Sequence, residues 1–397
     1  MNIKSIAVIF LLVIWTSLLT SQNNELKLVE YDEIVNGASQ LDKYLPILSD
    51  SRVAVVANQS TLVENTHLVD TLLSHDINVT KIFCPEHGFR GVAEAGKIIP
   101  DSIDLKTKIP IISLYGSHKK PTSADLENID MVLFDLQDVG TRFYTYISTL
   151  TYVMEACAEN KIPIIVLDRP NPNGYFIDGP VLEKEHQSFV GLHSVPVVYG
   201  MTIGEYARMV AGECWINKAS DIDLSVIPLA DWDRNMIVKL KKKPSPNLPN
   251  WQSVYLYPSL CFFEGTVMSI GRGTDFPFQV YGHPEFMIGS FIFTPDSTLS
   301  ASHPKFKGVH CYGANLNGYA ENFRNNNKRI NLSWLIGSYE MMKNNDDFFS
   351  SYFETLAGTD ELKKQIVAGL SEDEIRKSWQ PKINKFKKVR AKYLLYP

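Results

Sequence analysis

The order of its apolar segments constrains this chain more than any other feature. Five short runs rich in β-branched and aliphatic residues recur between residues 52 and 168: RVAVVAN (52–58), NVTKIFC (78–84), IPIISLY (109–115), DMVLFD (130–135) and KIPIIVLD (161–168). Nearly unbroken apolar content predicts strands covered on both faces rather than strands with one wet side. Helical patterns separate them. Residues 65–75 and 146–160 read as helices, and 125–128 as a short helical turn. Strands alternating with helices predict βαβ units, and so an α/β, Rossmann-like, doubly wound parallel sheet.

The 397 residues suffice for two domains. A helix is expected over 201–210, with Thr202 as its cap and Glu205 at the capping-box spacing. A further strand is expected over 223–228, followed by the proline-rich connection KKKPSPNLP (241–249). A boundary near 251–257 then divides a Rossmann-like catalytic domain, 23–255, from a smaller α+β domain, 256–397. At the N-terminus, Lys4 and Ser5 precede an almost wholly apolar stretch over 6–19 and a polar exit over 20–24. This is the pattern of a secretory signal peptide, expected over 1–22, and it predicts an exported protein, periplasmic or secreted. The stretch is shorter than the ~20 residues of a comfortable membrane span, so no stable insertion is expected after signal removal. The basic tail, 382–392, reads as a solvated surface segment.

Several chemistries find no support. Net charge is −5, with no long basic block before the tail, which argues against nucleic acid. The five cysteines, Cys84, Cys157, Cys214, Cys261 and Cys311, are scattered and form no CxxC, so no zinc or other metal is expected. No GxGxxG or GxxxxGK[ST] signature is seen, and no cofactor is expected.

Ligands of open α/β sheets bind beyond the carboxyl ends of the strands. The five predicted ends carry Asn58, Glu86, Tyr115, Asp135 with Gln137 and Asp138, and Asp168 with Arg169. Four motifs follow. PEHGFRG (85–91) sets Glu86, His87 and Arg90 among glycines, beside apolar Phe83 and Phe89. A carboxyl there suits a general acid, and a plain Glu86–Arg90 loop pair is the alternative. DLQDVGTRFYTY (135–146) gathers Gln137, Asp138, Arg142, Tyr144 and Tyr146 at a strand-to-helix junction, as for a polar ligand. Its alternative is a capping Asp138 with inward-packed tyrosines. DRPNPNG (168–174) holds Asp168, Arg169 and Asn171, either as a site or as a turn with an internal ion pair. FEGT (263–266) and GRGTDFPF (271–278) bring Glu264, Arg272 and Thr274; Arg272 between glycines points to close backbone approach to a ligand, or else to a tight turn.

Together with LYG (114–116), KPT (120–122), LDRPNPNG (167–174), GP (179–180), SFVG (188–191), YGMTIGE (199–205) and PSPNLP (244–249), these motifs resemble one family in its own order over roughly residues 50–280. It is the family of exo-acting β-N-acetylmuramidases of peptidoglycan turnover, formerly catalogued as a domain of unknown function. The resemblance implies a Rossmann-like domain and a smaller C-terminal domain that closes the active-site cleft. It implies release of terminal N-acetylmuramic acid from the non-reducing end of MurNAc–GlcNAc oligosaccharides. It also makes Glu86 the expected catalytic carboxyl. Glycoside cleavage needs an acid and a second group, for which Asp168 and then Asp138 are the candidates. Arg90, Arg142 and Arg272 are candidate cations for the lactyl carboxylate. His87, Gln137, Tyr144, Tyr146, Arg169, Asn171, Glu264 and Thr274 complete the expected substrate contacts. The alternatives are a non-catalytic binder of muropeptide sugars and an esterase or amidase acting on peptidoglycan.

Overall fold

Apolar runs of this kind need cover on both faces, and they receive it. The computed structural model describes residues 25–86, 88–89, 100–286, 289–326, 328–343 and 347–397. The expected signal segment therefore lies outside the described residues, as do His87 and Arg90. Seven strands form the central sheet: β1 Val53–Val56, β2 Val79–Cys84, β3 Ser102–Ile103, β4 Pro110–Ser113, β5 Met131–Phe134, β6 Ile164–Leu167 and β7 Leu224–Ile227. Their order is β7-β6-β5-β1-β2-β4-β3, parallel throughout except for β3 against β4. The chain runs outward from β1 through β2 to β4, returns beside β1 as β5, and runs outward the other way. The order thus reverses between β1 and β5, which places a ligand crevice at their carboxyl ends.

Alternate residues of the strands feed two cores. Ala54, Val56, Val132, Phe134, Ile164 and Val166 pack with Leu150 and Met154 of a helix over Tyr146–Asn160 and with Tyr206 and Val210 of one over Ile203–Gly212. Val53, Val55, Leu133, Ile165 and Leu167 pack on the other face with Tyr44, Leu48, Leu68 and Leu72. The helix over 146–160 stands where helical spacing predicts it, and Thr202 and Glu205 form the expected capping box. The helix expected over 65–75 starts later, at Leu68, because Thr66–His67 pairs with Leu62–Val63 as a small hairpin. Residues 125–128 are a turn rather than helical. There the Asp125 carboxylate accepts the backbone N–H and the hydroxyl of Thr122.

A helix over Trp251–Leu260 leads into the second half, built on an antiparallel sheet of β8 Val280–His283, β9 Phe291–Phe293 and β10 Cys311–Asn315 in the order β8-β10-β9. The five cysteines are free, and all but Cys214 are buried. Among the described residues no helix is long and apolar enough to cross a membrane. The tail departs from expectation. Residues Glu372–Arg390 form a helix that buries Ile375, Trp379, Ile383 and Phe386 and packs on the strand Asp178–Val181 of the first half. Its lysines face solvent, but the spacing of four, four and three keeps one apolar stripe on the protein. Basic composition hid that stripe. Phe386→Ala should lower unfolding free energy by about 3–5 kcal/mol. Lys387→Ala on the wet face should stay within about 0.5 kcal/mol. Urea denaturation of both variants checks this, and equal effects would count against a docked helix.

Candidate active site

A cavity of about 450 Å³ opens beyond the carboxyl ends of the central strands. Glu86 follows β2, Tyr115 follows β4, and Phe143, Tyr144 and Tyr146 lead from β5 into the next helix; these make one wall. Tyr257, Glu264, Arg272, Lys305 and Tyr352 from the second half make the other. The proline-rich connection forms part of the floor through Ser245. It is held there by side chains from the switch region and beyond. Gln59 Nε2 donates to the Lys243 carbonyl at 3.0 Å, Tyr144 Oη to that of Pro244 at 2.6 Å, and Asn247 Nδ2 to that of Ser300 at 3.0 Å.

Among the described residues, two carboxyl groups face this cavity from opposite walls. Glu86 Oε1 accepts the Tyr115 hydroxyl at 3.1 Å. Glu264 Oε1 meets Arg272 Nε at 2.8 Å and Nη2 at 2.6 Å, and the guanidinium lies 5.1 Å from the centre of the Phe278 ring. Burial raises the phenol of Tyr352, and the charges of Glu264 and Glu86 raise it further, so one side chain senses both carboxyls. Burial and then Glu86 raise Tyr115. Tyr146 is raised chiefly by burial, and its oxygen accepts from Asn58 Nδ2 at 2.7 Å. These phenols therefore remain hydroxyls at neutral pH, able to donate and accept against a sugar.

Several expected site residues prove to be scaffold. Asp168 is wholly buried beneath the helix that begins at Ile203. It accepts from the Thr202 hydroxyl at 2.7 Å, the Gly204 N–H at 2.8 Å and the Tyr396 hydroxyl at 2.5 Å, and burial pushes it up to about 7. Asp138 is buried too, bonded to the Tyr199 hydroxyl and the Gly140 N–H, and burial pushes it up to about 6. Neither carboxyl lines the cavity. Arg169 forks onto Asp135 through contacts of 2.5 and 2.7 Å inside the protein, as a buried ion pair. Gln137 and Asn171 brace loops: Gln137 Nε2 donates to the carbonyls of Asp138 and Pro170, and Asn171 Nδ2 to that of Met201. Asn171 also fills the space where a Cβ on Gly140, at φ +77°, would come within 2.1 Å of its side-chain oxygen. Thr274 closes a turn onto the Gly271 carbonyl at 2.7 Å. Its neighbour Gly273 is required by the Asp296 carbonyl, 2.4 Å from a would-be Cβ, so protein backbone rather than ligand makes the close approach.

Arg142 is the most consequential correction. It is fully buried and, among the described residues, its hydrogen bonds go to four carbonyls. Nη1 reaches Pro180 and Val195, both at 2.9 Å, and Nη2 reaches Leu356 at 2.9 Å and Ala357 at 2.7 Å. The last two end the short helix Tyr352–Ala357 that begins at the cavity. Arg142 thus ties the loop bearing Tyr144 and Tyr146 to the element bearing Tyr352. Burial lowers its pKa, but a guanidinium stays charged at neutral pH.

Comparison with known proteins places this architecture. The family models for the exo-β-N-acetylmuramidase NamZ match both parts, the N-terminal model over residues 53–252 and the C-terminal model over 255–396. The peptidoglycan β-N-acetylmuramidase NamZ of Bacillus subtilis (strain 168) is 39% identical over 378 residues, covering 90% of this chain and 89% of that protein. The chain belongs to the NamZ family. Two crystal structures from Bacteroides fragilis NCTC 9343, both described as DUF1343 family proteins, share the NamZ-family fold seen here. One is 43% identical with a TM-score of 0.83 and covers 91% of this chain and 99% of its own. The other is 26% identical with a TM-score of 0.75 and covers 92% and 99%.

Of the expected contacts, this NamZ-family cavity assembles Glu86, Tyr144, Tyr146, Glu264 and Arg272. Sequence reasoning missed Tyr257, His303, Lys305 and Tyr352 as site residues, although all four line the cavity. Among the additional residues, Tyr115 carried a signal in its place at a strand end, and Phe143, Phe189 and Ser245 lay within motifs already singled out. Arg142→Lys should lower unfolding free energy by about 3 kcal/mol or more. A single ammonium cannot reproduce the planar fork, and buried carbonyls left unpaired cost about 1–3 kcal/mol each. Chemical denaturation checks this; a loss below 1 kcal/mol would rule out the clamp.

Proposed function

We propose that this chain is an exo-β-N-acetylmuramidase that releases terminal N-acetylmuramic acid from the non-reducing end of peptidoglycan fragments. Two carboxyl groups on opposite walls of a tyrosine-lined cleft, in a member of this family, carry the reading. Glu86 is the acid. Its carboxyl proton passes to the glycosidic oxygen as the bond from the muramyl C1 to that oxygen breaks; water then supplies the hydroxyl that C1 gains, and its other proton restores the Glu86 carboxyl. Glu264 is committed to Arg272 and serves as the second group, a fixed negative charge facing the oxocarbenium-like centre. This replaces Asp168 and Asp138, which are engaged elsewhere. A binder without turnover would not need opposed carboxyl groups, and family membership favours the hydrolase. Export belongs to the same proposal, supported by the charged, apolar and polar sequence of residues 1–24.

The two roles separate by leaving group. Glu86→Gln should slow hydrolysis of MurNAc–GlcNAc by about 10²–10⁴-fold. It should slow a 4-nitrophenyl β-MurNAc glycoside far less, because that leaving group departs without a proton. Glu264→Gln should slow both substrates alike. A Glu86→Gln protein that cleaves the disaccharide at the wild-type rate would sink the acid assignment.

A further inference from the structure

Lys305 lies on the segment between β9 and β10, outside every motif singled out in the sequence. It lines the main cleft and also a small adjoining cavity of about 70 Å³, shared with Glu264, Met268 and Arg272. Its ammonium donates to the Thr266 carbonyl at 2.5 Å and, at 3.4 Å each, to the carbonyls of Glu264 and Met268. Among the described residues these partners are all neutral. The neighbouring carboxylate, Glu264, is held by Arg272 through both Nε and Nη2. Among the described residues two cations therefore share one anion at this end of the cleft, and one positive charge is left over. The two 3.4 Å contacts sit at the long edge of hydrogen bonding, so their N–H groups are readily redirected. Burial lowers the lysine pKa, the Glu264 charge opposes this and Arg272 adds to it. A partly desolvated cation without its own counter-ion is stabilised by an arriving anion.

We infer that Lys305 is the carboxylate-recognising residue of the cleft and takes the lactyl group of the muramyl ring. This rests on the muramidase reading and sharpens it. N-acetylmuramic acid differs from N-acetylglucosamine by a 3-O-lactyl group, and the carboxylate is the only charge that group carries. A cation that answers to it discriminates between the two sugars. It also discriminates between a free lactyl carboxylate and one capped as an amide. Arg272, already forked onto Glu264, is the lesser contributor.

The test uses the full chain and two chromogenic substrates, 4-nitrophenyl β-MurNAc and its lactyl methyl amide, which differ by one charge. Wild-type protein should favour the free acid in kcat/KM by roughly 10- to 100-fold, the range of a charge-assisted hydrogen bond. Lys305→Met should bring the acid-to-amide ratio of kcat/KM to within about twofold of one. Lys305→Arg should restore part of the preference. If Lys305 merely straps the 264–268 backbone, Lys305→Met will slow both substrates by the same factor, and that result overturns the assignment. A preference undiminished in Lys305→Met overturns it equally. Cleavage of neither glycoside by wild-type protein overturns the muramidase reading, and the assignment with it.

Discussion

One guanidinium without a carboxylate partner among the described residues joins the two walls of this cleft. Arg142 leaves the junction after β5 and is surrounded by four carbonyl oxygens, two from the first half and two from the end of the helix that begins at Tyr352. A salt bridge could swing as a unit. Four fixed dipoles converging on a planar fork cannot, because the carbonyls come from three separate stretches of packed backbone, at Pro180, at Val195 and at the Leu356–Ala357 helix end. The spacing of Tyr144 and Tyr146 from Tyr352 is therefore set from beneath the cavity rather than within it. Preorganised dipoles and phenols are what a site that stabilises developing charge requires.

The architecture was largely legible in the chain, and the reason is energetic. Runs such as VAVV in β1 and IIVL in β6 have no polar side to offer water, so a sheet covered on both faces is the stable answer. The capping box at Thr202 and Glu205 was equally plain, since its spacing is local. The tail was not. Ile375, Trp379, Ile383 and Phe386 share a stripe that shows only when charge is set aside and position along the helix is counted.

The site was half legible, and the failures share a physical cause. A polar side chain just past a strand can face the crevice, or turn under the sheet to satisfy the next helix. Glu86 does the first; Asp168 does the second, capping the helix at Thr202 and Gly204. Both stand within two residues of a strand end, so position along the chain does not separate them. Arg169 and Asp135 cancel each other because β5 and β6 are neighbours, with Phe134 opposite Val166. That adjacency is a property of strand order, which no single motif encodes. Tyr257, Lys305 and Tyr352 come from the other half of the fold and meet Glu86 only after the chain has folded back on itself.

That return of the chain reaches further than the cleft. The buried Asp168 accepts its hydrogen bond from Tyr396, and Glu205 of the same capping box accepts the backbone N–H of Leu395 at 2.7 Å. The first half thus borrows donors from far along the chain, Leu395 lying 190 residues beyond Glu205 and Tyr396 228 beyond Asp168. A nascent chain can pair its strands early, but Asp168 and Glu205 lack these two donors until residues 395 and 396 have emerged. The Rossmann-like half therefore completes its hydrogen bonding only with this distant return segment in place.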